Sequence, residues 1–412
     1  MIYLTSITKI KRGHEAFKAI DTYCLLSKKL RNKVLWLQRE EWNNNKGYIS
    51  FSKMLKNLAA NDDVDYRALP AQVSQQTVMD VDDDFQSFFT RKERGEKCNA
   101  PSFSPKGEKG RFKVTFTNQS ISLPSFRNGF IKPSGIDFEF PIPKYIPLKD
   151  IKDIREVRFT PKQHYYQMEI VYRVPTCEYQ DTGNYAAVDI GISNFLTIVS
   201  NCSSPLLIKG GKFISTNSFW IKKRSKSQSK LKKGFYSSNK IKWLDEKRNN
   251  KIRNDINCLT NQLVSYFIGL QVSDVYIGWN TGIKHGINIG KSNNQKFVYL
   301  PHKRVIDNLS YKCERFGIKV HTANEAYTSK CSFIDDEEIG KHETYLGKRV
   351  TTKFFVSKED KKINADVNAA YNILKLSRGI KFIELDPRQV FGTPRVLKVN
   401  YGLNRKRPSH EL

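Results

Sequence analysis

The spacing of apolar residues changes several times along this chain of 412 residues, and each change predicts a different kind of element. The opening "MIYLTSITKIKR" alternates well enough for a short strand. Residues 14–42 then carry helical spacing, with Leu26, Leu30, Val34 and Leu37 on one stripe. A second helix is expected to open at Pro70, and its Val78, Val81, Phe85 and Phe88 share a face that predicts core rather than a site. From about 98 to 180 the period falls to two, and Pro and Gly punctuate short strands such as "GRFKVTFTNQSISL". "IREVRFTPKQHYYQMEIVYRV" predicts a hairpin in which Tyr166, Met168, Ile170, Tyr172 and Val174 alternate with polar residues. The N-terminal half is thus a β module interrupted by a helical insert.

After the polar linker "EYQDTGN" the pattern changes again. Residues 185–200, "YAAVDIGISNFLTIVS", predict strand, glycine turn, strand. A basic segment feeds a long helix to about 270. "DVYIGWN" predicts a short buried strand, "PHKRVIDNLSYKCERFG" a helix, "IKVHTANEAYT" a strand, and 366–375 a final helix. Strands alternating with helices after a hairpin fit a mixed sheet, so the expected fold class is α/β plus β. The closing "NRKRPSHEL" is expected to be a disordered basic tail.

Composition adds a partner. Apolar residues make up 39% of the chain, enough for two or three domains with cores of their own. The net charge of +29 and pI of about 9.7 imply a polyanion, because neutralised phosphates release counterions. Between Lys209 and Arg253, fifteen Lys and Arg face two acids. A charge run is usually a solvated helix face; the scarcity of opposite charge favours a phosphate channel here. Lys222, Lys223, Arg224 and Lys232 lie in it, and Lys284 and Arg304 beyond it, as candidate nucleic-acid contacts. Trp220, Phe235, Tyr236 and Trp243 interleave with the cations and suit either base stacking or core.

No segment approaches the roughly 18 apolar residues of a membrane span, and the N-terminus lacks a signal-peptide apolar run. A soluble cytoplasmic protein, associated with the nucleoid and without a membrane partner, is expected. Seven scattered cysteines without a CxxC predict reduced thiols, mostly buried.

Three acids suit metal-assisted phosphodiester chemistry, which needs carboxylates from different elements converging on hard cations. Asp189 interrupts an apolar strand run, a costly place for a charge unless it is paired or ligating. A turn carboxylate is the plain alternative. Asp366 stands in the first turn of the last helix, where simple capping is the alternative. Glu325 follows the strand "IKVHTAN", a position usually taken by a solvated rim residue.

In order and spacing, "VDIGISNFLTIVSN", "YIGWN", "GKSNNQKFVYLPH", "EAYTSKCSF" and "INADVNAAYNIL" resemble the TnpB (OrfB) proteins of bacterial insertion sequences. These are relatives of the type V CRISPR effector nucleases and of the Fanzor proteins. "LPAQVSQQ" and "FTNQSIS" extend the resemblance into the N-terminal half. It implies an RNA-guided DNA endonuclease of a mobile element, dependent on Mg²⁺ or Mn²⁺ and cutting beside a short duplex motif. Its partners would be a guide RNA transcribed from the element and double-stranded target DNA; no pattern in the chain fixes the oligomeric state, and a monomeric ribonucleoprotein is favoured.

The resemblance further implies a wedge β-barrel from 1–12 and 98–180, with a helical recognition insert at 13–97. A RuvC domain of ribonuclease H fold would occupy 181–328 and resume at 363–412, ending in the basic tail. Residues 329–362 would be a degenerate zinc-ribbon-like insert facing target nucleic acid. By motif, Asp189 matches the first RuvC acid and Asp366 the third. Asn368 and Asn372 would share a helix face supporting Asp366 or the nucleic acid. Motif readers are implied near Gln72, Gln76, Thr117 and Asn118, whose amides and hydroxyl can bond to base edges.

Two departures stand out. Many family members carry the second acid at the end of the strand that here reads "VYIGWN", which offers only Gly278, Trp279 and Asn280. A subset moves this glutamate to the next strand, where Glu325 stands, so a rearranged triad of Asp189, Glu325 and Asp366 is expected. Many relatives also place two CxxC pairs between the second and third acids, whereas this interval holds Cys331 and His342 alone, too few for structural zinc. The blank strand leaves a competing expectation, a nuclease-dead RNA-guided repressor. A transposase cutting without RNA is a third.

Overall fold

Strand formation in the first unit, Met1–Pro175, follows the two-residue period. A computed structural model describes residues 1–44, 47–280 and 299–401 of the chain. The strands of this unit are β1 (Ile2–Lys11), β2 (Val114–Thr117), β3 (Phe130–Ile131), β4 (Phe140–Pro141), β5 (Ile154–Pro161) and β6 (Tyr165–Val174). Four of them form an antiparallel sheet in the order β1-β6-β5-β2, and β3 pairs with β4. β1 runs along the whole of β6, from Ile2 opposite Val174 to Lys11 opposite Tyr165. The hairpin alternation holds for Tyr166, Met168, Ile170, Tyr172 and Val174, all buried, but Tyr165, Gln167 and Val171 are buried too.

The helices between β1 and β2 are α1 (Phe17–Asn43), α2 (Phe51–Ala60), α3 (Val64–Arg67) and α4 (Ala71–Glu93). Leu30 and Val34 of α1 and Val78, Val81 and Phe85 of α4 are buried in one core with the sheet, as their stripes predict. The short α2 and α3 have no sequence expectation behind them. α2 buries only Met54 and Leu58, one pair four residues apart, too little to establish a period. A one-turn helix, α5 (Leu123–Arg127), follows β2.

The second unit, Thr176–Leu412, is built on β7 (Tyr185–Ile190), β8 (Asn194–Ser200), β9 (Leu206–Lys209), β10 (Asp274–Gly278) and β11 (Lys319–Ala323). Three short strands, β12 (Lys348–Arg349), β13 (Phe354–Val356) and β14 (Lys362–Asn364), make a separate sheet, and β15 (Arg395–Val396) lies near the C-terminus. The main sheet runs β11-β10-β7-β8-β9-β15. β11, β10 and β7 are parallel neighbours, while β7, β8 and β9 form an antiparallel meander. Its helices are α6 (Gly211–Gln228), α7 (Asn239–Gly269), α8 (His302–Arg315) and α9 (Ala365–Arg378).

Alternation along β7 and β10 separates two cores. Ala186, Val188, Val275 and Ile277 face a core that includes Leu259, Leu263, Val305 and Leu309 of α7 and α8. Ala187 and Tyr276 face the other, with Ala370, Tyr371, Ile373 and Leu374 of α9. Period two therefore puts Asp189 and Gly278 on the α9 side of the sheet.

Of the seven cysteines, all free, only Cys24, Cys313 and Cys331 are fully buried, which corrects the expectation that most would be. Among the described residues no helix is long and apolar enough to cross a membrane. Lys284 and the basic tail from residue 402 lie outside the described residues.

Candidate active site and nucleic-acid surface

Three parallel strands ending on one edge create the site. Asp189 is the penultimate residue of β7, paired across the meander with Thr197. Gly191, immediately beyond, is required by close packing, since a Cβ there would stand 2.4 Å from the Asn194 carbonyl oxygen. β10, the strand between β7 and β11, ends at Gly278. Glu325 follows β11 by two residues. A Cβ on Gly278 would stand 3.2 Å from Glu325 Oε2 and 2.5 Å from Ile373 Cδ1. The bare end of the middle strand is thus the space into which the glutamate of the outer strand reaches. Asp366 comes from the opposite layer, in the first turn of α9, which packs on β7, β8 and β10.

The capping alternative for Asp366 does not hold, because Asn364 performs that task. Its side-chain oxygen accepts from the backbone N–H groups of Asp366 at 3.1 Å and Val367 at 3.2 Å. The Asp366 carboxylate is instead engaged from two sides. Arg349 on β12 donates to Oδ1 at 3.1 Å, and the Asn194 amide donates to Oδ2 at 2.6 Å. Lys209 in turn holds the Asn194 oxygen at 2.6 Å. Arg349 and Asn194 had no signal in the sequence beyond their polarity, and Lys209 figured there only as the start of the basic run.

Electrostatics tie the three acids together. Burial pushes the Asp189 carboxyl well above the ordinary range, and the negative charges of Asp366 and then Glu325 push it further, against a smaller pull from Arg349. Burial alone pushes Glu325 up to about 7. A site in which ionisation is opposed by like charge is one that a cation would relieve. The donors are carboxylate oxygens, the type hard divalent ions select. As they stand, no three His, Cys, Asp or Glu side chains among the described residues are gathered closely enough to hold a metal ion, and Arg349 supplies positive charge at Asp366. The donor type thus suits Mg²⁺ while the spacing of the acids as they stand does not, and the cation the structure places at Asp366 is Arg349.

Asn368 and Asn372 correct their expected role. Both are fully buried and face the insert rather than Asp366 or solvent. Asn368 accepts from Phe333 N at 3.0 Å and donates to the Cys331 carbonyl at 2.8 Å. Asn372 donates to the carbonyls of Thr328 and Cys331, each at 2.8 Å.

The candidate nucleic-acid residues divide between the two units. In the first, Thr117 donates to Gln72 at 3.2 Å, so the structure joins two of the expected readers directly, and Gln72 in turn donates to Gln119 at 3.1 Å. Gln119 lines a cavity of about 640 Å³ with Ser120, Ser122 and Lys132. Gln76 and Asn118 are half-buried nearby in sequence.

In the second unit, Lys222, Lys223 and Lys232 are exposed on or after α6, while Arg224 is tied to Asp245 at 3.2 Å. Phe235 and Tyr236 are well exposed and Trp243 partly so, which rules out core for these three. Lys223 lies over the rings of Phe219 and Trp220. Arg304 has two cationic neighbours that sequence reading missed: the charges of Arg253 and Arg248, after burial, push its guanidinium down. Arg248 lies 5.2 Å from the centre of the Tyr299 ring. Arg248, Arg253 and Arg304 are thus near enough for their like charges to act on Arg304, an arrangement of candidate phosphate contacts.

Comparison with known proteins agrees with this architecture. The model of the OrfB proteins of IS605, described as a probable transposase, matches residues 169–284. The model of the Cas12f1-like TNB domain matches residues 302–373. A TnpB-like protein, ORF457 of Acidianus two-tailed virus, is 24% identical over 207 residues, 47% of this chain and 42% of that protein. The chain thus spans about two fifths of the curated relative it matches. The Cas12f1 chain of a Cas12f1–sgRNA–target DNA complex shares the fold with a TM-score of 0.56 over 87% of this chain and 82% of that one, at 15% identity. The fold is that of a mixed α/β protein similar to Cas12f1. The chain is related to the TnpB proteins and to the type V effectors.

Proposed function

We propose that this protein is an RNA-guided DNA endonuclease of a mobile element, cutting target DNA beside a short duplex motif at Asp189, Glu325 and Asp366. The observation that carries the reading is the convergence of three acids from separate elements, the end of β7, the residues after β11 and the first turn of α9. Burial first, and then the charges of Asp366 and Glu325, push the Asp189 carboxyl up. On this reading the second unit is a RuvC domain of ribonuclease H fold and the first a wedge with its helical recognition insert. The relatives support the partners: one matched structure is a complex with guide RNA and target DNA. The whole-chain charge of +29 and the exposed Lys, Arg and aromatic residues of α6, α7 and α8 suit an A-form guide–target hybrid held by its backbone.

Asp189, Glu325 and Asp366 would hold Mg²⁺, which when bound polarises the scissile phosphate and lowers the pKa of attacking water. The chain's own residues prepare the site. Asn194, steadied by Lys209, orients the Asp366 carboxylate. Gly278 leaves room for Glu325 beside Ile373. Burial keeps the Glu325 proton partly in place near neutral pH, so loading the site with a cation displaces protons. Arg349, whose guanidinium donates to Asp366, would be in reach of a phosphate oxygen bound at that carboxylate and could donate to it.

The test is co-expression with the DNA flanking the gene, purification, and incubation with a plasmid library carrying the matching target. A defined RNA that copurifies, with Mg²⁺-dependent cleavage beside one short motif, is expected. Guided binding without cleavage makes the protein a repressor, and cleavage without RNA makes it a simple transposase.

A further inference from the structure

We propose that the buried carboxylate of Glu337 takes the place of a structural metal in the 329–362 insert and acts as a positioning residue for Arg349 and Asp366. The catalytic half of this proposal rests on the nuclease reading above; the structural half does not.

A zinc ribbon works by cross-linking two chain segments through one charged centre. Glu337 does the same with opposite sign. It is 6% exposed, and its two oxygens reach two separate turns: Oε2 accepts from Ser332 N at 2.7 Å and Oε1 from Leu346 N at 2.9 Å. Both are charge-assisted bonds to backbone N–H groups that would otherwise lack this partner.

The two turns lead to the two partners of one ion pair. Ser332 lies between Cys331 and Phe333, whose backbone groups are bonded by Asn368 and Asn372 of α9, the helix that presents Asp366. Leu346 precedes β12, and Gly347 between them passes so close to Phe355 that a Cβ would stand 2.4 Å from its ring. The next residues are Lys348 and Arg349, and Arg349 reaches back to Asp366 at 3.1 Å. The circuit Asp366, α9, Asn368, Phe333, Ser332, Glu337, Leu346, Arg349 therefore closes on itself. Lys375 of α9 adds a further tie, donating to the Glu337 carbonyl at 3.0 Å.

The residues of the insert do not suit zinc. Its single cysteine, Cys331, points its thiol at the Gly340 carbonyl, and its single histidine, His342, bonds the Glu338 carbonyl at 2.7 Å. Neither reaches toward Glu337's two amides.

The full-length protein, with its copurifying RNA, tests this through metal content and amide exchange. Wild type is expected to carry no stoichiometric zinc, and 1,10-phenanthroline should leave exchange in 329–349 unchanged. Glu337→Ala should speed exchange there about tenfold or more, with Glu337→Gln, which keeps one acceptor oxygen, in between. If guided cleavage is present, Glu337→Ala should lower its rate at saturating target about tenfold while target affinity changes less than about threefold. One tightly held zinc per chain, or unchanged exchange in Glu337→Ala, overturns the proposal. Unaltered cleavage in a variant whose exchange has risen overturns its positioning half. Absence of cleavage in wild type refutes the nuclease reading alone, and zinc content and exchange still decide the rest.

Discussion

Glu325 Oε2 lies 3.2 Å from the point where a Cβ on Gly278 would stand, so the acid of one strand fills the space its neighbour leaves bare. The two positions are alternatives within one volume. Only one of them can carry the carboxylate without displacing Ile373, whose Cδ1 crowds the same point at 2.5 Å.

Gly278→Ala should therefore damage both packing and the site. Overfilling a close-packed spot beside Ile373 costs about 1–3 kcal/mol, and the methyl group should push Glu325 aside. A lower denaturant midpoint together with reduced Mg²⁺-dependent cleavage is expected. A Gly278→Ala protein as stable and as active as the parent would mean that Glu325 does not depend on this space.

The raised Glu325 carboxyl sets a pH dependence. Between its ordinary value of 4.5 and about 7, the folded protein holds a proton that the unfolded chain has released. Stability without metal should accordingly fall as pH rises through that window, with the loss complete above about 7. Asp189, also raised, adds to the same direction. Denaturation midpoints in EDTA at several pH values should show this slope, and Glu325→Gln should flatten it. Comparing parent with variant removes the contribution of acids whose carboxyls are lowered, such as Asp21 beside Arg111.

If Asp366 holds a divalent cation as proposed, Arg349 competes with it for the carboxylate. At about pH 8, above the Glu325 value of about 7, Arg349→Ala should lower the Mg²⁺ concentration that half-saturates thermal stabilisation. The ion pair is partly exposed, so its loss should cost less than about 1 kcal/mol without metal. Weaker Mg²⁺ stabilisation in the variant would mean that the guanidinium assists the site rather than competing for it.

The arginine patch makes a claim about salt. Arg304→Ala should weaken nucleic-acid binding across all sequences and reduce the dependence of log Kd on log salt by about one ion. Filter binding at several salt concentrations reads both. An unchanged slope would leave the patch without a phosphate.

How far this site could be read in advance depended on what each residue's signal is made of. Asp189 and Asp366 drew notice in the sequence because a carboxylate interrupts an apolar run or heads an apolar helix, whereas Glu325, at a strand end, became a candidate only through the family resemblance. Asn368 and Asn372 share a face by their spacing alone, yet which surface that face meets is a tertiary fact, and it proved to be the Cys331 turn. Arg349, Asn194 and Glu337 sit in short strands and turns without periodicity, and their partners lie 17, 172 and up to nine positions away. Nothing local distinguishes them from surface polar residues. α2 escaped for a related reason, since two buried side chains cannot announce a helix.

The measurement that bears most directly on the rearranged triad is guided cleavage by Glu325→Gln beside the parent and Asp189→Ala. Glutamine keeps the shape and one oxygen but loses the charge. Cleavage by the parent that both variants abolish, with target binding intact, is the expected result. Cleavage at the parental rate by Glu325→Gln would contradict it, and the second acid would have to be sought elsewhere in the chain.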